Sequence, residues 1–176
     1  MELVELRGLT DDQRAELAAG EAYPFGATAL RWREPDRYVA MRHEGRLVAA
    51  VGLVIAEVQA VGLADADAAP EARTFPVVGI GGVIVARPHR GQGLMRKTLD
   101  AALETAATLG PDHAMLFCSR ANAPRYARFG FQPIAARVTA EQPGGTVEMG
   151  EAAMWRPLKA GATWPQTEIR VLGLPF

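Results

Sequence analysis

Apolar and polar positions in the middle of the chain predict a strand followed by a helix. Residues 77–85 form an almost unbroken apolar run rich in β-branched side chains, which is typical of a buried strand. From Gly93 to about Leu109, apolar residues recur at helical spacing. The short turn 90–95, which contains two glycines, joins the two elements. The predicted buried face of the helix consists of Met95, Leu99, Ala102, Ala106 and Leu109.

The segments before this centre predict a strand, a helix and a hairpin. Thr10 is a favourable N-cap, and Gln13 three residues later completes a capping box, so a helix should begin here. Two apolar segments flank Glu44-Gly45, a pair that is typical of a tight antiparallel turn. The predicted elements are a strand over 1–6, a helix over 11–19 and strands over 38–42 and 47–58.

The segments after the centre predict one more helix and three more strands. Asn122 is a suitable N-cap for the helix, and a glycine turn over 143–145 separates the last two strands. The pattern assigns no element to the tail, 159–176. The predicted elements are a strand over 114–118, a helix over 123–129 and strands over 131–138 and 147–155.

Composition and charge narrow the class of protein. At 176 residues the chain is long enough for one compact core, so we expect a single domain over 1–176. A net charge of −1 gives no overall electrostatic attraction to nucleic acid or to an acidic membrane. Cys118 is the only cysteine, which excludes an intramolecular disulfide. Without a signal-peptide pattern, or an apolar stretch near the ~20 residues of a membrane span, we expect a cytoplasmic protein.

The turn after the apolar strand has the properties of an anion site. Amide groups at a helix start have no partner within the helix, and the helix dipole favours a negative charge there. Two other phosphate motifs do not fit. A P-loop requires its lysine and hydroxyl residue before the helix, whereas Lys97-Thr98 lie inside it, and a dinucleotide fingerprint requires a third glycine where Arg96 stands. The identity of the anion stays open at this point.

Two motifs of the sequence resemble the GNAT superfamily, the GCN5-related N-acetyltransferases. Arg90-Gly91-Gln92-Gly93-Leu94 matches the first five positions of that family's acyl-CoA signature, R/Q-x-x-G-x-G/A, after an apolar strand. Met95 departs from the small final residue, and Pro88 lies one place later than the family's usual proline. Tyr126-Ala127-Arg128-Phe129-Gly130-Phe131 matches the family's Y-x-x-x-G-F ending at the family's distance downstream. The resemblance is specific over about 77–131.

The resemblance implies both a fold and a reaction. The implied fold is a single α/β (α+β) domain whose mixed, mostly antiparallel sheet of about six or seven strands is flanked by helices. The implied reaction is direct transfer of an acetyl group from acetyl-CoA, as co-substrate, to the primary amine of a small molecule, with no metal. Two alternatives stay open: the amine of a protein or peptide as acceptor, and a non-catalytic acyl-CoA-binding regulator.

The resemblance also assigns roles to individual residues. Tyr126 would lie near the sulfur of coenzyme A and protonate the departing thiolate, a role that suits a phenol at neutral pH. Glycines in the central strand are costly unless a bulge or a ligand requires them, and family members bind the pantetheine arm along this strand. A backbone N–H near Gly82 or Val83 would then polarise the thioester carbonyl. The predicted coenzyme A-binding residues are Gly82, Val83, Ile84, Val85, Arg90, Gly91, Gln92, Gly93, Leu94, Met95, Ser119 and Asn122.

The general base is the least defined part of the predicted site. The central strand, 77–85, contains no acidic residue. Glu57, on the preceding strand, is the best carboxylate candidate, and a solvated strand face is the alternative for it. An ordered water molecule is the second candidate for the base. Cys118 is expected to be a core residue rather than a nucleophile, because no partner that would activate it is evident.

Three aromatic residues are candidates for contact with the amine substrate. Tyr23 and Phe25 lie in a predicted turn and would either face the substrate or cover the core edge. The C-terminal half resembles, more loosely, the aminoglycoside N-acetyltransferases of the same superfamily, in which the tail helps to bind a polycationic sugar. By that resemblance Phe176 would supply a carboxylate to the substrate. The alternative is that the tail, 159–176, packs on the sheet or on a second subunit of a homodimer.

Overall fold

One mixed sheet dominates the structure and comprises ten strands within the residues that are described. This computed structural model describes residues 1–22, 29–62 and 72–176. The helices are α1 (Asp11–Ala18), α2 (Leu94–Thr108) and α3 (Ala123–Ala127). The strands are β1 (Glu2–Leu6), β2 (Arg37–His43), β3 (Arg46–Val61), β4 (Ala72–Val85), β5 (His113–Cys118), β6 (Gln132–Pro133), β7 (Val138–Gln142), β8 (Gly145–Glu148), β9 (Ala152–Pro157) and β10 (Glu168–Leu172).

The longest strand, β3, organises the sheet. Its first half pairs antiparallel with β2, and its C-terminal end pairs antiparallel with β10. Along its other edge β3 pairs antiparallel with β4, which in turn pairs in parallel with β5. The sheet continues from β2 to β1, from β5 to β9 and β6, and from β10 to β7 and β8. This arrangement confirms the predicted α/β class with a mixed, mostly antiparallel sheet flanked by helices.

The strands of the C-terminal part differ from their predicted bounds. The predicted strand over 131–138 is wrong, because Pro133 has no N–H to continue the ladder and pairing stops after Gln132–Pro133. The predicted strand over 147–155 is divided by Gly150 into the end of β8 and most of β9. The tail adds β10, whose alternation of buried and half-buried positions spans too few residues to stand out in the sequence. The described sheet therefore has more strands than the six or seven predicted.

The sheet buries an apolar core on each face. Leu99, Ala102 and Ala106 of α2 are buried against one face, as predicted, whereas Met95 and Leu109 are half-buried beside them. Burying one leucine side chain contributes about 1.5–3 kcal/mol, so this stripe holds α2 on the sheet. Among the described helices, none combines the length and the apolar character needed to cross a bilayer. The core on the opposite face includes Trp155, Trp164, Ile169, Val171 and Phe176.

The two central parallel strands separate in the middle of the sheet. Their pairing covers only 78–80 on β4 and 114–116 on β5. Directly afterwards the register of β4 against β3 shifts from the pair Gly81–Gly52 to the pair Ile84–Ala50, which defines a β-bulge. Gly82 adopts a φ of +57° there, in the left-handed region that favours glycine. A bulge was one of the two predicted reasons for glycines in this strand, and it is confirmed.

Candidate active site

Two grooves meet at the bulge of β4. The turn groove, with a volume of about 640 Å³, lies beside the turn that precedes α2. The aromatic groove, with a volume of about 450 Å³, is walled by Trp32, Phe117 and Phe176. Gly82 lines the aromatic groove, and the next residue, Val83, lines the turn groove. Successive residues of one strand therefore contribute to both grooves.

The turn groove contains a helix N-terminus that no side chain caps. Gly91 and Gly93 have φ angles of +78° and +74°, and α2 begins directly afterwards at Leu94. L side chains are strained in this conformation, so glycine suits both positions. Because the N-cap, Gly93, has no side chain, the first amides of α2 remain available to an external anion.

Arginine side chains make the turn groove positive. Arg90, Arg96, Arg125 and Arg128 all line it, and no carboxylate of the described residues does. Such a lining favours a ligand with several negative charges. The sequence motif indicated only Arg90, because the other three belong to the first turn of α2 and to the region of α3, which are distant in sequence. Their common location follows from the fold, in which residues of α2 and α3 pack into the same core cluster.

Arg90 is held from two sides. Its Nε donates to the carbonyl of Val85 at 3.0 Å, and its Nη2 donates to Oε2 of Glu21 at 2.7 Å. Nη1 of Arg87 lies 3.8 Å from the other oxygen of the same carboxylate. Glu21 therefore neutralises part of the positive charge beside the turn.

Most of the predicted coenzyme A-binding residues lie together in the turn groove. Three do not: Gly82 and Ser119 line the aromatic groove, and Gln92 lines neither. The side-chain amide of Gln92 donates instead to the carbonyl of Pro88 at 3.3 Å. Asn122 occupies the predicted N-cap position of α3, but its side chain makes no capping hydrogen bond. The predicted residues that line the turn groove are Val83, Ile84, Val85, Arg90, Gly91, Gly93, Leu94, Met95 and Asn122.

The phenol of Tyr126 also lines the turn groove. α3 supplies this residue, which is only 8% exposed, and its ring meets that of Phe131 edge-on at a centroid distance of 6.2 Å. Burial raises the pKa of Tyr126 to about 12, and the nearby Cys118 adds a smaller contribution in the same direction. The phenol therefore keeps its proton at neutral pH and can donate it to a group in the groove.

Aromatic rings form the wall of the aromatic groove. The ring centroid of Phe117 lies 6.0 Å from that of Trp32 and 5.6 Å from that of Phe176. The predicted tail residue Phe176 thus lines the groove, and its ring lies directly against Gly79. Cys118 lines the same groove and is buried, which raises the pKa of its thiol. The thiol therefore stays protonated, in agreement with the core role expected for it.

Most charged side chains around the aromatic groove have an ionic partner. Nη2 of Arg14 lies 3.2 Å from a carboxylate oxygen of Glu34. Nη2 of Arg33 lies 3.0 Å from Oδ2 of Asp36, and its Nη1 donates to the carbonyl of Ile55 at 2.9 Å. These contacts fix two guanidinium groups at the groove and leave little of their charge uncompensated.

Two residues that line the aromatic groove each have a buried polar atom without a hydrogen-bond partner among the described residues. Oε2 of Glu151 is buried, and within the described part of the chain it has no hydrogen-bond partner. The same holds for Nε1 of Trp32, on the wall of the groove. Neither residue was indicated by the sequence, because a single glutamate before a short strand and a single tryptophan between elements produce no periodic signal.

One predicted residue is not brought to the grooves, and two others lie outside the described residues. Glu57 is exposed on β3, opposite Pro76 and Leu172, and it lines neither groove. It is therefore not brought together with Tyr126. Tyr23 and Phe25 lie outside the described residues.

Comparison with known proteins gives one family and one fold. The sequence matches the model of the acetyltransferase (GNAT) family over residues 6–131, whereas no curated protein matches it significantly. Among solved structures it is similar to ElaA of Escherichia coli, with 22% identity and a TM-score of 0.56 over 88% of this chain and 98% of that one. It is similar to Eis1 of Mycobacterium abscessus, with 17% identity and a TM-score of 0.53 over 74% of this chain and 32% of that one.

A further similar structure is N-acetylglutamate synthase of Neisseria gonorrhoeae, which was solved with coenzyme A and N-acetyl-glutamate. The identity is 16% and the TM-score 0.54, over 90% of this chain and 36% of that one. The chain thus spans nearly all of ElaA but only about a third of the other two proteins. At these identities the three structures share the fold.

Proposed function

The chain belongs to the GNAT family of acetyltransferases, and from that membership we propose that it transfers an acetyl group from acetyl-CoA directly to the primary amine of a small molecule. The bulge of β4 carries this proposal, because Gly82 lines one groove and Val83 the other. A donor bound in the turn groove and an amine bound in the aromatic groove would meet there. Such alignment of two reactants is itself a large part of catalysis.

The lining of the turn groove fits coenzyme A. Arg90 and the uncapped amides of residues 91–95 would hold the pyrophosphate, and the absence of a lining carboxylate among the described residues avoids repulsion. Arg96, Arg125 and Arg128 offer further positive charge to a polyanion. When bound, acetyl-CoA supplies an activated thioester, and the chain supplies its orientation.

In this proposal two groups of the chain act on the thioester. A backbone N–H at Gly82 or Val83 donates a hydrogen bond to the carbonyl oxygen, where negative charge develops as the amine nitrogen attacks. The C–N bond forms, the C–S bond breaks, and Tyr126 donates a proton to the departing sulfur. Glu57, the carboxylate candidate for the base, lines neither groove, so it would act only through ordered water.

The size and lining of the aromatic groove favour a small acceptor over a protein. Its volume of about 450 Å³ lies within the range of roughly 300–1,000 Å³ that is usual for small-molecule pockets. Pockets of this kind are mainly apolar and contain a few polar groups that fix orientation, as the rings and the unpartnered atoms do here. The amine of a peptide is the second candidate, and it would require an open path along this groove.

The test is a panel of primary amines incubated with acetyl-CoA, with the release of free thiol as the signal. The panel contains arylalkylamines, amino acids, polyamines, aminoglycosides and a lysine-containing peptide. Turnover of a small amine supports the proposal, whereas turnover of the peptide alone would favour a protein acceptor. Calorimetric binding of acetyl-CoA without thiol release from any amine would instead indicate a non-catalytic acyl-CoA-binding protein.

A further inference from the structure

One residue that lines the aromatic groove has a buried carboxylate oxygen without a partner in the described part of the chain. Glu151 directly precedes β9, lines the groove and buries its Oε2. Buried polar atoms nearly always have a hydrogen-bond partner, so an unpartnered acceptor on a groove indicates a ligand that donates. An ammonium group is the donor that best matches a carboxylate, because the hydrogen bond is then charge-assisted on both sides.

Several other charged groups lie at this groove. Glu34 is paired with Arg14 at 3.2 Å, and Arg33 is paired with Asp36 at 3.0 Å. The terminal carboxyl group of Phe176 lies against Gly81, another residue of the lining. Glu151 is therefore the one acidic side chain of the lining that has no ionic partner among the described residues.

The walls of the groove define the remainder of the ligand. Trp32, Phe117 and Phe176 present rings whose burial favours an aromatic or branched apolar body. Nε1 of Trp32 is a buried donor without a partner in the described chain, and an oxygen on the ligand would satisfy it. The groove thus combines one site for a cation with an apolar wall.

We infer that the acceptor is an amine with an aromatic or branched apolar body, and that Glu151 binds its ammonium group and serves as the general base. This inference rests on the proposed N-acetyltransfer. Glu151 takes one proton from the ammonium, and the nitrogen lone pair then attacks the acetyl carbon. Tyr126 gives its proton to the sulfur, and the second proton lost by the nitrogen restores the phenol. Amide and thiol are the products, and Glu151 returns its proton to solvent.

The experiment separates binding of the amine from turnover. Calorimetry in the presence of coenzyme A measures the affinities of phenethylamine, tyramine, spermidine and kanamycin for the wild-type protein and for Glu151→Gln. Glu148→Gln is the matched control, because Glu148 is exposed and paired with Arg137 at 2.8 Å outside the groove. Initial rates with acetyl-CoA are recorded for the same three proteins, together with their melting temperatures.

We expect the two monoamines to bind and the two polycations to bind at least tenfold more weakly, because the polycations present no aromatic or branched apolar body to the rings of the groove. Glu151→Gln should weaken monoamine binding about tenfold or more and lower kcat/KM for the amine by about 100-fold, while KM for acetyl-CoA changes less than twofold. Glu148→Gln should resemble the wild type. Glu151→Gln should melt close to the wild-type temperature, because the substitution keeps the size and shape of the side chain.

Each of the remaining outcomes would overturn a specific part of the proposal. Tighter binding of spermidine or kanamycin than of the monoamines would overturn the substrate class, and so would the absence of monoamine binding. Wild-type affinity and kcat/KM in Glu151→Gln would overturn the role of that carboxylate. Monoamine binding that depends on Glu151 without release of coenzyme A would support the amine site and refute the proposed transfer reaction.

Discussion

Arg90 and Glu21 form an ion pair beside the proposed phosphate site, with Nη2 of Arg90 2.7 Å from Oε2 of Glu21. In the proposed complex the pyrophosphate of coenzyme A would contact the same guanidinium group. The carboxylate and the pyrophosphate are both anions, so they compete for one cation. If coenzyme A binds in the turn groove as proposed, Glu21 should therefore lower its affinity.

Replacement of Glu21 by Gln should tighten the binding of coenzyme A. An exposed ion pair of this kind is worth about 0.2–1 kcal/mol, so the dissociation constant should fall by about 1.4- to fivefold in calorimetry at low salt. The gain should shrink as salt screens the charges. Glu104→Gln, an exposed position on α2, is the control and should leave the affinity unchanged. Weaker binding by Glu21→Gln would show that the carboxylate positions Arg90 rather than opposing the ligand.

Replacement of Tyr126 by Phe should lower kcat by about 100-fold while KM for acetyl-CoA changes little. The substitution removes only the hydroxyl and keeps the ring contact with Phe131. Because burial raises the pKa of this phenol to about 12, the wild-type kcat should not decline between pH 6 and pH 10 through loss of its proton. Steady-state rates across this range test both statements. An unchanged kcat in the variant would eliminate the acid role.

Replacement of Gly79 by Ala should destabilise the protein and disturb the aromatic groove. A Cβ at this position would lie 2.6 Å from Cγ of Phe176, so the ring must move. Overpacking of this kind costs about 1–3 kcal/mol, which urea denaturation can measure. Gly144→Ala is the matched control, because nothing lies within 4 Å of its added Cβ.

A double variant tests whether contact with the Phe176 ring causes the loss of stability in Gly79→Ala. Phe176→Leu combined with Gly79→Ala should be less destabilised than the sum of the two single changes, since the smaller side chain relieves the contact. Strict additivity would show that the crowding arises elsewhere. Initial rates of the same variants should show a higher KM for the amine, because the ring lines the groove.

The free energy of unfolding should decrease as the pH falls through 6.5, and His113 should be one cause. Burial lowers the pKa of His113, although a hydrogen bond to the carbonyl of Thr163 partly opposes this. The unfolded chain therefore binds a proton more readily than the folded one, so this contribution is present above pH 6.5 and is lost below it. Denaturation at pH 7.5 and 5.5 should show a smaller loss for His113→Asn than for the wild type. An equal loss would assign the pH dependence to other groups.

The elements that the sequence predicted correctly are those with local sequence signals. The capping box at Thr10, the helical stripe of α2 and the glycines of the turn each act within a few residues, and the structure contains all three. Most of the turn groove, which fits acetyl-CoA, could therefore be predicted from the sequence, because the strand, the turn and α2 are consecutive. The additional arginines around the turn groove could be predicted only with knowledge of where the fold places α2 and α3.

The aromatic groove, which is proposed to bind the amine, is not indicated by any local sequence signal. Trp32, Glu151 and Phe176 come from distant parts of the chain, and their common groove depends on the separation of β4 from β5 and on the insertion of β10. Long-range strand pairing of this kind leaves no periodic pattern in one segment. For the same reason the sequence indicated Glu57 and not Glu151 as a candidate base: the place of Glu57 on the preceding strand can be predicted from the sequence, whereas the burial of the Glu151 oxygen cannot.

The position of β10 sets an order of assembly during synthesis. In the described sheet, the hairpin of β7 and β8 reaches the other strands only through β10, which pairs with β3 on one side and with β7 on the other. The ribosome releases residues 138–148 well before 168–172, so the hairpin waits with an open edge until its neighbour emerges. Open edges are prone to pairing with other chains, which makes this interval the vulnerable stage of biogenesis. Phe176 follows β10, so the groove proposed to bind the amine is completed only after β10 has been synthesised.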